Sequence, residues 1–114
     1  MLAEHFRVVA IDLAGHGESG SDRESFTIES LGRDVEAVIS HLELPSFVLV
    51  GHSMGGPVAL HAAARMPERT IGVIGVDTFQ EFEWKRNDAE WNPFIEGFES
   101  DFRAACEDLS LIHI

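Results

Sequence analysis

The chain has 114 residues with twenty acidic side chains against eight lysines and arginines, a formal net charge of -12, so it has room for one small domain at most. That balance excludes nucleic acid and anionic membrane surfaces as partners, since no basic cluster exists to displace counterions from phosphates. One cysteine rules out an internal disulfide framework and fits a reducing compartment.

Met1-Leu2-Ala3-Glu4-His5 offers neither an apolar core segment nor a basic flank, so no signal peptide is expected there. No apolar run reaches membrane-spanning length, and a cytoplasmic location is the expectation. From Phe6 to Asp12 the chain is nearly continuous in apolar residues, which predicts a strand over 6–12 buried on both faces of a parallel sheet. Gly15-His16-Gly17 and Ser19-Gly20-Ser21 form a turn-rich loop, in which Asp12 and His16 are read as bonding nearby backbone rather than as catalytic groups.

The period then changes. Ile28, Leu31, Val35, Val38, Ile39 and Leu42 recur at helical spacing, predicting a helix over 27–43 with Thr27 as its N-cap and a stop at Leu44-Pro45. His41 falls near the carboxyl end of that helix and is read as structural. A strand over 47–52 and a small-residue helix over 54–66 follow, with Pro57 in the helix's first turn. His61 on that helix is read as a packing or surface residue. A third strand is expected over 70–77. Strand, helix, strand, helix, strand is the pattern of a parallel α/β sheet with right-handed crossovers.

Between Phe79 and Asp108 nine acids face only Lys85, Arg86 and Arg103, which reads as a solvated face. Within it Trp84, Trp91, Phe94, Ile95, Phe98, Phe102, Cys106 and Leu109 are the large or apolar residues. From position 94 they make a helical stripe, introduced by Asn92 as a cap and Pro93 at the first helical position, so a helical segment is expected near 92–109. The stripe is read first as core packing and second as the lining of a pocket. Cys106 is read as a small buried hydrophobe.

The chemistry is concentrated where strand 47–52 meets helix 54–66. Gly51-His52-Ser53-Met54-Gly55-Gly56 places a serine between glycines at a turn sharp enough to force strained backbone angles on it. Gly51 and Gly55 are the positions expected to have no room for side chains. The Ser53 hydroxyl then stands clear of the sheet's carboxyl end, with the Met54 amide and the positive end of the helix facing a developing oxyanion.

This stretch resembles the nucleophile elbow of the α/β-hydrolase superfamily in its GHSMGG form. Asp12-Leu13-Ala14-Gly15-His16-Gly17-Glu18-Ser19 resembles the D-x-x-G-x-G-x-S turn that precedes the elbow in that family. The likeness covers roughly residues 6 to 78. It implies a partial α/β-hydrolase core over 1–78, the beginning of a cap or lid over 79–109, and an atypical tail over 110–114. It also implies a serine esterase or acyl hydrolase working through an acyl-enzyme, with a small-molecule acyl substrate and no cofactor or metal.

In the family the order is serine, acid, histidine. Asp77 stands where some members draw the acid. His113 has the right order but no structural context, and His52 props the turn. The resemblance further implies a strand with an H-G motif, which supplies the second oxyanion amide and lies between the Arg7 strand and the Ser53 strand. Residues 1–5 cannot contain it. The expectation is therefore a middle portion of a hydrolase whose own turnover is negligible. The alternative is an inactive fragment or binding remnant that self-associates through exposed strand edges.

Overall fold

Thr27 opens the first long element, α1 (Ile28–His41), as the sequence requires: its hydroxyl oxygen accepts the Ser30 N–H at 3.2 Å, filling one of the donors that a helix start leaves unmatched. Leu31, Val35 and Ile39 line one face of α1 and are buried. The stop lies earlier than Leu44-Pro45. Glu43 takes a left-handed φ of 50°, its N–H donates to Ser40 O at 3.1 Å, and the Leu44 N–H donates to Ile39 O at 3.2 Å. Those two bonds are a Schellman closure, which ends a helix before any proline is needed.

The structure, a computed structural model, describes residues 1–79 and 88–111. The chain divides into two units, Met1–Gln80 and Glu81–Ile114. In the first, β1 (Phe47–His52) and β2 (Thr70–Val76) pair in parallel, with α2 (Gly55–Arg65) as the crossover between them. Leu49 lies beside Val73 and Val50 beside Ile74, and an irregularity after Phe47 leaves Ile71 outside the ladder.

Helices α1 and α2 share one core. Leu31, Val35 and Ile39 pack with Val58, Ala62 and Met66, and Phe47 and Leu49 on β1 close it from the sheet. Since successive strand residues point to opposite faces, Val48 and Val50 are turned away from that core and stay exposed, as do Ile74 and Val76 on β2.

Three contacts hold these layers in place. Arg69 donates through Nε to Leu44 O at 3.0 Å and lies 5.9 Å from the Phe47 ring centroid. Arg65 pairs with Glu36 across the two helices. His61 on α2 sits where Gly32 on α1 has no Cβ, so that a methyl there would come 3.1 Å from the His61 Cβ and closer still to its ring. His61 is therefore a packing residue, half-buried, with a buried Nδ1 that has no hydrogen-bond partner among the described residues.

The strand expected over 6–12 is not formed. Residues 6–10 run exposed outside regular structure, and the chain reaches the core only at Ile11, Leu13 and Ala14. A strand exists only through hydrogen bonds to a neighbour. Among the described residues the sheet has two strands, and neither pairs with this segment.

In the second unit the expected helix near 92–109 is two helices, α3 (Asp88–Ser100) and α4 (Phe102–Leu111). Asn92 and Pro93 do not start α3: Pro93 lies inside it. The break falls at Asp101, whose carboxylate accepts the Ala104 N–H at 3.0 Å and caps α4. Phe98 and Phe102 meet edge to face across that break, 5.9 Å between centroids. Cys106 is half-buried rather than enclosed. Trp84 lies outside the described residues.

Candidate active site

β1 ends at His52 and α2 begins at Gly55, leaving two residues to reverse the chain. Ser53 makes that turn with φ of 49°, a left-handed conformation that costs a side-chain-bearing residue about 1–3 kcal/mol and persists only where its surroundings enforce it. Two hydrogen bonds enforce it here: the Ser53 N–H donates to Val76 O on β2 at 3.0 Å, and the Gly56 N–H donates to Ser53 O at 2.9 Å. The Ser53 residue is exposed.

The glycines have unequal reasons to be glycine. A Cβ at Gly51 would lie 2.7 Å from the Gly56 nitrogen, so no side chain fits. At Gly55, which the sequence reading paired with Gly51, a Cβ would meet nothing within 4 Å. The second crowded position is Gly56, where a Cβ would fall 2.5 Å from Thr78 Cγ2 and 2.9 Å from Thr78 Cβ. The neighbour responsible comes from the loop after β2, which is remote in sequence, so spacing alone could not locate it.

Met54 has helical angles, φ -54° and ψ -31°. Its amide therefore belongs to the amino-terminal end of α2, the end where orphan N–H groups and the helix dipole favour negative charge. Asp77 directly follows β2 and is also left-handed, with φ of 47°. Because Val76 accepts from the Ser53 N–H, Asp77 and Ser53 stand at the same carboxyl rim of the sheet. Among the described residues no histidine hydrogen-bonds Ser53, and His113 lies outside them. Nor do the described residues contain a cluster of His, Cys, Asp or Glu able to hold a metal ion.

The loop before α1 is tied to itself. The Glu18 N–H donates to Asp12 Oδ2 at 3.0 Å, Ser19 Oγ donates to Asp12 O at 2.7 Å, and the Gly15 N–H donates to Gly20 O at 3.0 Å. His16 Nδ1 lies 3.1 Å from Ala14 O. Gly15 and Gly17 have φ of 79° and 52°, and a Cβ on Gly17 would run into the Asp12 carboxylate. Asp12, Gly15, Gly17 and Ser19 are thus all explained by loop closure. Arg23, which the sequence reading passed over, pairs with Asp34 and ties this loop to α1.

A parallel strand pair joined by a crossover helix, with a left-handed serine at the carboxyl rim and a helix amino terminus against it, defines the class: an α/β-hydrolase core. The family model described as the alpha/beta hydrolase fold matches residues 1–113, and the chain belongs to that family. It is similar to the dihydrolipoyllysine-residue acetyltransferase component of the acetoin cleaving system of Pseudomonas putida, 43% identical over 63% of this chain and 20% of the relative. It is similar to protein phosphatase methylesterase 1 of Mus musculus, 39% identical over 65% of this chain and 20% of the relative. It also resembles the hydrolase YugF of Bacillus subtilis, 38% identical over 65% of this chain and 28% of the relative. The chain spans between 20% and 28% of the length of such curated relatives.

Proposed function

We propose that Ser53 is the nucleophile of a serine acyl hydrolase of esterase type acting on a small-molecule ester, thioester or amide. The observation that carries this is the left-handed Ser53 between β1 and α2, a costly conformation that sets an exposed hydroxyl beside a helix amino terminus. In the proposed step Ser53 Oγ bonds to the acyl carbon while its proton passes to a base. The carbonyl electron pair moves onto oxygen, facing the Met54 N–H. Collapse expels the alcohol, thiol or amine, which takes the proton back from the base, and leaves an acyl-serine. Water then loses a proton to the base, attacks the acyl carbon and releases the free acid as the proton returns to Ser53 Oγ. Asp77 is the carboxylate proposed to orient the base. The esterase in the name of one relative supports this reading.

No base contacts Ser53 among the described residues, so those residues by themselves are expected to turn over esters negligibly. A fluorophosphonate probe tests the proposal. Slow labelling located at Ser53 by mass spectrometry, and lost in Ser53→Ala, is expected. Rapid labelling at Ser53 would contradict the expected weak activation, and labelling that ignores Ser53 would overturn its assignment as nucleophile.

A second reading is favoured by one observation: Val50 is 65% exposed and Ile74 53% exposed, side by side on the sheet face turned away from the helices. In that reading the chain binds another polypeptide, including a second copy, through this surface and the sheet edges that no other described strand pairs with. Association that needs neither Ser53 nor an acyl ligand would favour it.

A further inference from the structure

Three glycines surround the point where the β2 loop meets the start of α2. A Cβ on Gly56 would strike Thr78, as described above. A Cβ on Gly75 would fall 2.5 Å from Phe79 Cε2 and 2.7 Å from Thr78 Cγ2, and a Cβ on Gly51 would strike Gly55 and Gly56 backbone. Gly51 and Gly75 are register partners, so their Cα–H faces lie on the same side of the sheet, the side that bears α2. Thr78 and Phe79 fill the space that Gly56 and Gly75 leave, while the Gly55–Gly56 backbone fills the space above Gly51. The two side chains can do so because Asp77 and Phe79, on either side of Thr78, are both left-handed, with φ of 47° and 64°, folding the loop back over the strand end it has just left.

Ser53 needs such support. Its strained turn is held on one side by β2, through the Ser53 N–H to Val76 O bond, and on the other by the first turn of α2, through the Gly56 N–H to Ser53 O bond. If Gly56 moved outward the second bond would open, and the backbone at 53 could relax toward negative φ. Thr78 is the side chain that presses on Gly56. We infer that Thr78 is a positioning residue for Ser53: its Cγ2 and Oγ1 wedge the start of α2 against the sheet and so hold the left-handed turn. The inference rests on the reading of Ser53 as the reacting residue only for its functional meaning, since the geometry stands apart from it.

The experiment uses the full chain with two readouts: NMR couplings and intraresidue contacts that report φ at Ser53, and the rate of Ser53 labelling by a fluorophosphonate. Thr78→Gly removes the wedge and is expected to shift Ser53 away from positive φ while signals of α1 stay in place. Its labelling rate should fall about tenfold or more, as expected when a reacting group is displaced. Thr78→Val keeps the shape and should leave both readouts as in the wild type.

Gly56→Ala should disturb Ser53 in the same way as Thr78→Gly. The double change Gly56→Ala with Thr78→Gly should restore it in part, the new methyl occupying vacated space. Should Thr78→Gly fail to fold, Thr78→Ala against Thr78→Val carries the same contrast. A folded Thr78→Gly or Thr78→Ala chain in which Ser53 keeps positive φ overturns the inference. Failure of the wild type to label at Ser53 overturns the nucleophile reading instead, leaving the couplings to decide the role of Thr78.

Discussion

At the scale of the residue, left-handed backbone by itself does not mark a reacting position; what the turn is held by does. Glu43 and Ser53 have almost the same φ, 50° and 49°, but Glu43 only closes a helix. Glycine at such a closing position avoids the Cβ penalty of about 1–2 kcal/mol and gives part of it back as chain entropy, so Glu43→Gly should stabilise the chain modestly, read as a higher urea midpoint with an unchanged slope. Ser53→Gly should relieve similar strain while removing the hydroxyl.

Glu29 gives a pH dependence at this scale. Its carboxyl is held below the ordinary value, first by a backbone N–H at its own position and next by the Thr27 hydroxyl, with His61 and Arg33 adding weaker attraction. A carboxylate depressed in the folded state contributes stability above its unfolded pKa and loses it as pH falls through the folded one. Glu29→Gln should therefore lower the urea midpoint slightly near neutrality, and the gap from wild type should close in acid below the ordinary carboxyl range. A gap that stays constant with pH would show that the charge contributes nothing.

At the scale of the element, the meeting of α1 with α2 depends on Gly32 and His61. Gly32→Ala would place a methyl against the His61 ring, and overpacking of this kind costs about 1–3 kcal/mol. The expected result is a lower unfolding midpoint for Gly32→Ala, eased in the double change with His61→Ala, which clears the ring. Additive effects would place the damage elsewhere.

Elements with local causes were legible in the sequence. Thr27 as a cap, Pro57 in a first turn, and the helical stripes of α1 and α2 all depend on residues a turn apart, and so does the glycine-serine turn after β1. What could not be read there depends on distant partners. Phe6–Asp12 has every local mark of a strand, yet a strand needs a neighbour to bond with. Gly56 is crowded by Thr78, and Arg69 reaches Leu44; no spacing rule connects these pairs. Pro93 was misplaced because a proline that commonly starts a helix can also lie within one, and the start at Asp88 is five residues earlier.

At the scale of the whole molecule, the first unit builds its core on one side of a sheet that has two strands among the described residues. The other side presents Val48, Val50, Ile74 and Val76 to solvent, and Phe6 and Val8 are exposed as well. Two strands with one covered face are marginal, and exposed apolar face and edge together favour association. Sedimentation of the chain over a range of concentrations should show reversible growth in mass. Val50→Lys with Ile74→Lys should shift the equilibrium toward monomer without loss of helical signal. Monomer at every concentration would remove the second reading of function. No helix among the described residues is long and apolar enough to cross a membrane.

The most direct measurement compares fluorophosphonate incorporation at Ser53 with incorporation at the exposed serines Ser19 and Ser100, in the native chain and in the chain unfolded by urea. If the fold activates this hydroxyl, the ratio should be about tenfold or more higher in the native chain, less than the roughly 10²–10³ that one oxyanion donor contributes in a site with its base in place. Equal ratios in the two states would mean that the turn at Ser53 gives its hydroxyl no chemical advantage, and the assignment of Ser53 as nucleophile would be wrong.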